Sequence, residues 1–240
     1  MPATLVAVAH GSRDPRALDT VSALLDRVRE LRPRLDVRLG HIELNEPLLD
    51  DTLRALPEGT EAVLVPLLLG RGHHVKHDLP RAARRAPHLR IRQAAPLGPH
   101  PLLVEALHER LLDAGMQPGS AVVLAAAGSR DPESAFDTRR TAALLAERLG
   151  GVPVVPAYAS AASPTVPEAV RALTARGHRV AVASYFTAPG TFAAQSAAAA
   201  PGPAAAPLGD HPALARLVLH RHDRAAALAC APAGRELATA

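Results

Sequence analysis

Two imidazoles and one carboxylate, His10, Glu43 and His74, each follow a run of mostly apolar residues in this chain. That donor set suits a borderline divalent ion such as Fe²⁺, Co²⁺, Ni²⁺ or Zn²⁺, and it leaves coordination positions open for a second donor. The runs before the three residues read as buried parallel strands. In open α/β sheets ligands bind at the carboxyl ends of the strands. Three successive strand ends therefore bring the three side chains to one edge.

The elements that must position them are well marked. Leu5-Val6-Ala7-Val8-Ala9 is a strand, and Asp14 with Pro15 reads as the N-cap and first position of the helix that follows. In that helix Leu18, Val21, Leu24, Leu25, Val28 and Leu31 share one face. Further strands are expected over 37–43, 62–69 and 89–95, with helices between them and a last helix to about residue 114. Strands alternating with helices of this length give a parallel sheet with helices on both faces.

After a turn-rich joint at 115–119 the plan restarts. Ala127-Gly128-Ser129-Arg130-Asp131-Pro132 repeats His10-Gly11-Ser12-Arg13-Asp14-Pro15 with alanine in place of the histidine, 117 positions on. At the same offset Ser160 replaces Glu43 and Ser163 replaces Glu46. At an offset of 118, Phe192 replaces His74 while Gly190 keeps Gly72. The scaffold residues persist and every candidate ligand is lost. Residues 1–116 thus read as the copy carrying the site and 117–240 as a degenerate copy, in which 192–206 reads as an eroded helix and loop.

Composition narrows the partners. The 240 residues are 48% hydrophobic and 2% aromatic with a net charge of +4, and no basic run is interleaved with aromatics, so nucleic acid is not an expected partner. Cys230 is the sole cysteine, which excludes an internal disulfide. No apolar run reaches the ~18 residues of a membrane span, and the start lacks a secretory pattern, so the expected location is cytoplasmic. There is no Gly-x-x-x-x-Gly-Lys-Ser/Thr loop, and Gly70-x-Gly72 lacks the third glycine of a dinucleotide site, so neither ATP nor another nucleotide is expected. His100 and His211 recur beside proline and read as helix-start residues, His220 and His222 as solvated, and Glu46 as a cap for the helix after Pro47.

Ala9-His10-Gly11-Ser12-Arg13-Asp14-Pro15, Ile42-Glu43-Leu44-Asn45-Glu46-Pro47 and Gly70-x-Gly72-x-His74-Val75-x-x-Asp78-Leu79-Pro80, in that order, resemble the CbiX/SirB-type sirohydrochlorin chelatases, the class II enzymes that work without ATP. The resemblance implies two tandem chelatase-like (flavodoxin-like) α/β domains. It also implies insertion of Co²⁺ or Fe²⁺ into sirohydrochlorin, a tetrapyrrole with eight carboxylate arms, in cobalamin or siroheme biosynthesis. Carried over by position, His10 and His74 handle the metal, joined by Glu43, while His73 departs from the pattern. Ser12 and Arg13 beside the helix start, with Arg71 and Lys76, are expected to hold substrate carboxylates, and Arg81, Arg84 and Arg85 to steer them. The cleft between the copies would take the macrocycle against Tyr185 and Phe192. A single chain that pairs its own two copies is expected to be a monomer. Two other readings stay open: a metal- or tetrapyrrole-binding carrier, and a phosphatase-like enzyme using His10, although Ala9 stands where that chemistry wants an arginine.

If the second copy lost its acid along with its histidines, restoring the histidines alone creates no site. Ala127→His combined with Phe192→His is expected to bind no additional Co²⁺ per chain in equilibrium dialysis. A second stoichiometric ion would show that Ser160 is not the missing part.

Overall fold

The computed structural model describes residues 2–228, so Cys230 lies outside the described residues. The first copy runs β1 (Thr4–Ala9), α1 (Pro15–Leu31), β2 (Val37–His41), α2 (Leu49–Arg54), β3 (Glu61–Pro66), a π-helical turn (His74–Asp78), α3 (Leu79–Arg84), β4 (Arg90–Gln93) and α4 (Pro101–Asp113). The second runs β5 (Ala121–Ala126), α5 (Pro132–Arg148), β6 (Val154–Tyr158), α6 (Val166–Ala175), β7 (Val180–Tyr185), α7 (Thr191–Ala198) and α8 (Pro212–Ala227). The sheets are parallel, with orders β2-β1-β3-β4 and β6-β5-β7. The first strand of each copy is central, the doubly wound arrangement in which the chain reverses direction beside that strand.

Alternation along the central strands decides what packs where. In β1, Leu5, Ala7 and Ala9 face one core while Val6 and Val8 face another, formed with Leu49 and Leu53 of α2 and Leu79 and Ala82 of α3. In β5, Val122, Leu124 and Ala126 join the same core as Leu5 and Ala7, while Val123 and Ala125 turn to α6. One core is therefore common to both copies. The last helices are exchanged across it: α4 packs on α5 and β7, and α8 packs on α1, β3 and β4.

Polar ties follow the exchange. His222 is 2% exposed, and its Nε2–H donates to the Ala3 carbonyl at 2.9 Å, so the expectation that it is solvated is wrong: α8 is sandwiched, not peripheral. Arg221 donates to the Leu97 carbonyl at 2.9 Å and Arg110 to the Leu208 carbonyl at 3.1 Å. Tyr185, expected to offer an apolar face to a ligand, is 4% exposed. Its hydroxyl donates to the Leu69 carbonyl at 3.0 Å and lies 3.0 Å from the Thr141 hydroxyl. Burial pushes that hydroxyl's pKa upward. A side chain at position 98 would collide with the hydroxyl, and Gly98 leaves the room. Its ring edge lines the cleft, but the residue works mainly as a pin between copies.

The strands end earlier than the apolar runs suggest. β2 stops at His41 rather than 43, and β3 at Pro66 rather than 69, although Leu67 still donates to the Val8 carbonyl at 2.8 Å. The stretch expected to be an eroded helix holds the regular α7 of 8 residues, followed by an extended bridge from Ala204 to Val182. Asp14 caps α1 with its carboxylate on the Arg16 amide, and His100 and His211 cap α4 and α8 through Nδ1. Glu46 is not the cap expected for the helix after Pro47: α2 begins only at Leu49 with no side-chain cap, and Glu46 accepts from the Leu48 amide at 3.1 Å, ahead of the helix.

An imidazole that caps through Nδ1 must keep a lone pair there. Burial, reinforced by the nearby charges of Arg221 and His220, lowers the His100 pKa to about 4. A depressed pKa stabilises the fold fully above the ordinary value near 6.5, and the contribution is lost as pH falls toward 4. Thermal melts are expected to drop in midpoint across that window. His100→Asn, which keeps a capping oxygen, is expected to flatten this part of the slope; an unchanged slope would exclude His100 as its source.

Candidate active site

The site begins with a crossing of two backbones. Gly11 has φ +102°, and a side chain there would run into the carbonyl oxygen of Glu43. Only glycine lets the loop after β1 lie against the loop after β2. The ladder then continues past the strands: Ile42 donates to the Ala9 carbonyl and Glu43 to the His10 carbonyl at 3.1 Å. This brings His10 Nε2 to 3.7 Å from Glu43 Oε1, with both side chains about half exposed. Gly128 and Ser160 repeat the crossing in the second copy, where no histidine or acid is present. The crossing belongs to the fold, and the chemistry was placed upon it.

His74 arrives from the π-helical turn. Its Nδ1 lies 2.7 Å from Asp78 Oδ2, one turn further on. Burial by itself would raise the Asp78 pKa, but the hydrogen bond from His74 and the charges of His74, His73 and Arg81 outweigh it and leave the carboxyl below its ordinary value. An ionised carboxylate only accepts, so Nδ1 carries the proton and Nε2 keeps the lone pair that a metal needs. The His10 and His74 rings meet edge to face, centroids 4.7 Å apart and planes at 83°. His73 and His77 pair with each other at 4.6 Å. Among the described residues no three His, Cys, Asp or Glu side chains form a ready-made metal cage. What exists is an imidazole pair with a carboxylate beside one ring.

Behind this pair opens a cavity of about 500 Å³ between the copies. His10, Ser12 and Arg13 line one wall, and Ala127, Gly128 and the stretch from Thr187 to Phe192 line the other. Leu18, Leu44 and Phe192 line it although 37%, 52% and 41% exposed, an apolar rim that none of the described residues covers. The Ser12 amide is committed to Asn45 Oδ1 at 2.7 Å, and the Ser12 hydroxyl to the Asp14 amide. The exposed guanidinium of Arg13 is therefore the cation on this wall.

The remaining cations sit elsewhere. Arg71 and Lys76, expected to meet substrate, do not line the cavity and are paired with acids of α5: Arg71 with Asp137 and Glu133, Lys76 with Asp131 and Glu133. Arg81 and Arg85 line a separate small groove with His41, Asp50 and Asp78, because α3 packs on the opposite face of the sheet. Asp78 and Asp137 are the functional-site acids that sequence reasoning passed over. The first was visible as a His-x-x-x-Asp spacing, which places both side chains on one helical face. His41 was also missed: it is 2% exposed at the end of β2, and burial lowers its pKa.

Two facing α/β copies with one imidazole-bearing lip and an apolar cleft define a duplicated chelatase. The chain belongs to the CbiX family, whose model matches residues 4–114 and again 121–225. A sirohydrochlorin ferrochelatase of Bacillus subtilis is 32% identical over 175 residues, covering 70% of this chain and 67% of that protein. SirB from Bacillus subtilis with Fe³⁺ superposes with a TM-score of 0.78 at 27% identity, covering 95% of this chain and 97% of the other. The SirB chelatase from Bacillus subtilis subspecies spizizenii in complex with cobalt gives 0.74 at 26%, covering 95% and 96%.

If the glycine crossing is structural, both copies must need it equally. Gly11→Ala and Gly128→Ala are each expected to cost about 2–3 kcal/mol in urea denaturation. A silent Gly128→Ala would tie the crossing to the site instead.

Proposed function

We propose that this chain inserts Co²⁺ or Fe²⁺ into sirohydrochlorin without ATP, as a lyase of cobalamin or siroheme biosynthesis, with His10, Glu43 and His74 as its working residues. The observation that carries this reading is the imidazole pair: His10 lines the apolar cleft, and His74, packed edge to face on the His10 ring, is locked by a carboxylate in the tautomer that offers Nε2. The metal is substrate here, so a closed cage would be a fault. Two imidazoles hold the ion loosely enough to release it, and open positions face the macrocycle.

Insertion exchanges one divalent ion for two pyrrole N–H protons. His74 is committed through Nδ1 to Asp78, which leaves His10 as the imidazole that accepts one of these protons. Glu43, 3.7 Å from His10 Nε2, offsets the charge of the ion and takes the second pyrrole proton as the ion passes to the macrocycle. Arg13 receives a carboxylate arm. The second copy supplies a non-ligating wall of Ala127 and Phe192, so the metal has one face of approach. The division into 1–116 carrying the site and 117–240 forming the wall is part of this proposal.

The absence of a three-ligand cage among the described residues supports transfer over a storage carrier. No described helix is long and apolar enough to cross a membrane, which supports a cytoplasmic enzyme. The shared core supports a monomer. Nucleic acid and nucleotides have no part in this scheme, and Ni²⁺ and Zn²⁺ would serve in vitro.

His10→Ala and His74→Ala are each expected to lower the rate of the visible-spectrum change on adding Co²⁺ to sirohydrochlorin by about a hundredfold or more, with sirohydrochlorin binding retained. Near-normal turnover in either folded variant would remove the metal-handling roles.

A further inference from the structure

The two cations that flank His74 are held by the copy that has lost the chemistry. Arg71, three residues before His74, donates from its backbone amide to Asp137 Oδ2 at 2.9 Å, from Nε to the same oxygen at 3.0 Å and from Nη2 to Oδ1 at 2.7 Å. Its Nη1 reaches Glu133 Oε1 at 2.8 Å, and its guanidinium lies over the Phe136 ring at 6.0 Å. Lys76, two residues after His74 and the only lysine of the chain, pairs with Asp131 Oδ2 at 2.6 Å and with Glu133. Asp137 is 1% exposed. A buried carboxylate filled by a bidentate guanidinium and a backbone amide is a fixed point, unlike an exposed pair.

The pseudo-symmetry shows that this arrangement is one-sided. At an offset of 117, Glu133 and Asp137 correspond to Arg16 and Thr20, and Asp131 corresponds to Asp14, which pairs with Arg16 instead. At an offset of 118, Arg71 and Lys76 correspond to Pro189 and Ala194. Of these positions, 133 and 137 are acidic with no acid at their counterparts, and 71 and 76 are basic with no cation at theirs. Residues 67–72, between β3 and the helical segment that carries His74, lie outside any strand or helix. Backbone carbonyls and amides hold this loop at Leu67, Leu68 and Leu69, and beyond residue 69 it is the Arg71 amide and side chain, bonded to Asp137, that fasten it.

We infer that Asp137, Glu133 and Asp131 are positioning residues for His74: the second copy tethers the histidine segment through Arg71 and Lys76 and so fixes His74 opposite His10. The second copy has thus traded metal ligands for an anchor. The inference rests on the chelatase reading for its kinetic consequence, but not for its structural one.

The test is amide hydrogen–deuterium exchange over residues 71–78 in the full chain, alongside steady-state kinetics. Glu133→Gln combined with Asp137→Asn is expected to speed exchange there by about tenfold, and to lower kcat with Co²⁺ and sirohydrochlorin by about tenfold while KM stays within about twofold. Lys76→Gln, at a partly exposed pair, guards against failure of the double variant to fold and is expected to change the same readouts in the same direction. Lys76→Arg, which keeps the charge, is expected to preserve both. Exchange over 71–78 unchanged in the folded double variant or in Lys76→Gln would overturn the tether. A rise in KM with kcat unaffected would instead make these residues part of substrate binding. If the unaltered chain fails to convert sirohydrochlorin, the chelatase reading falls, and the exchange measurement still decides the tether.

Discussion

The two copies bury one face of each sheet against the other's closing helix, and the cleft exists because of that shared core. Leu5, Ala7 and Val63 from one sheet and Val122, Leu124 and Ala183 from the other belong to a single apolar cluster. Apolar area removed from water is worth roughly 25 cal/mol per Å², so this common interior fixes the relative position of the copies far more firmly than surface ion pairs can. With the central strands held in place, their carboxyl ends face the same opening. His10 and the Ala127 wall then keep their spacing without direct contact.

On that frame the site is assembled from weak local devices, each used once. A glycine crossing seats Glu43 beside His10, a helical turn seats Asp78 beneath His74, and acids on α5 hold the segment between. None of these groups needs to bind metal strongly. In the proposed transfer the ion must leave again, and His10, Glu43 and His74, all between a third and about half exposed, suit that role. Three of the protein's buried polar groups, Tyr185, His222 and Asp137, join the two copies.

Much of this was legible in the sequence because it depends on periodicity and repetition. The parallel sheets and the caps at Asp14, His100 and His211 follow from patterns local to the chain. What could not be read was which copy each late element would pack on. His222 looked solvated from its place late in the sequence, and the exchange put it against Ala3. Arg71 and Lys76 looked available because their acid partners lie roughly 60 positions away in the other copy. Charge complementarity between distant segments leaves no periodic trace.

The exchanged helices have a consequence for how such a protein assembles. A single copy would expose the face of β1 that now contacts the common interior, and it would need a second molecule to supply the covering helix. Its assembly would then depend on dilution. Joining the copies through a short connection makes that encounter intramolecular, at an effective concentration on the order of millimolar. Pairing is then independent of how much protein a cell makes. It also guarantees that the two halves are never identical partners competing for each other, which allows one half to hold the reactants while the other is shaped only to receive it.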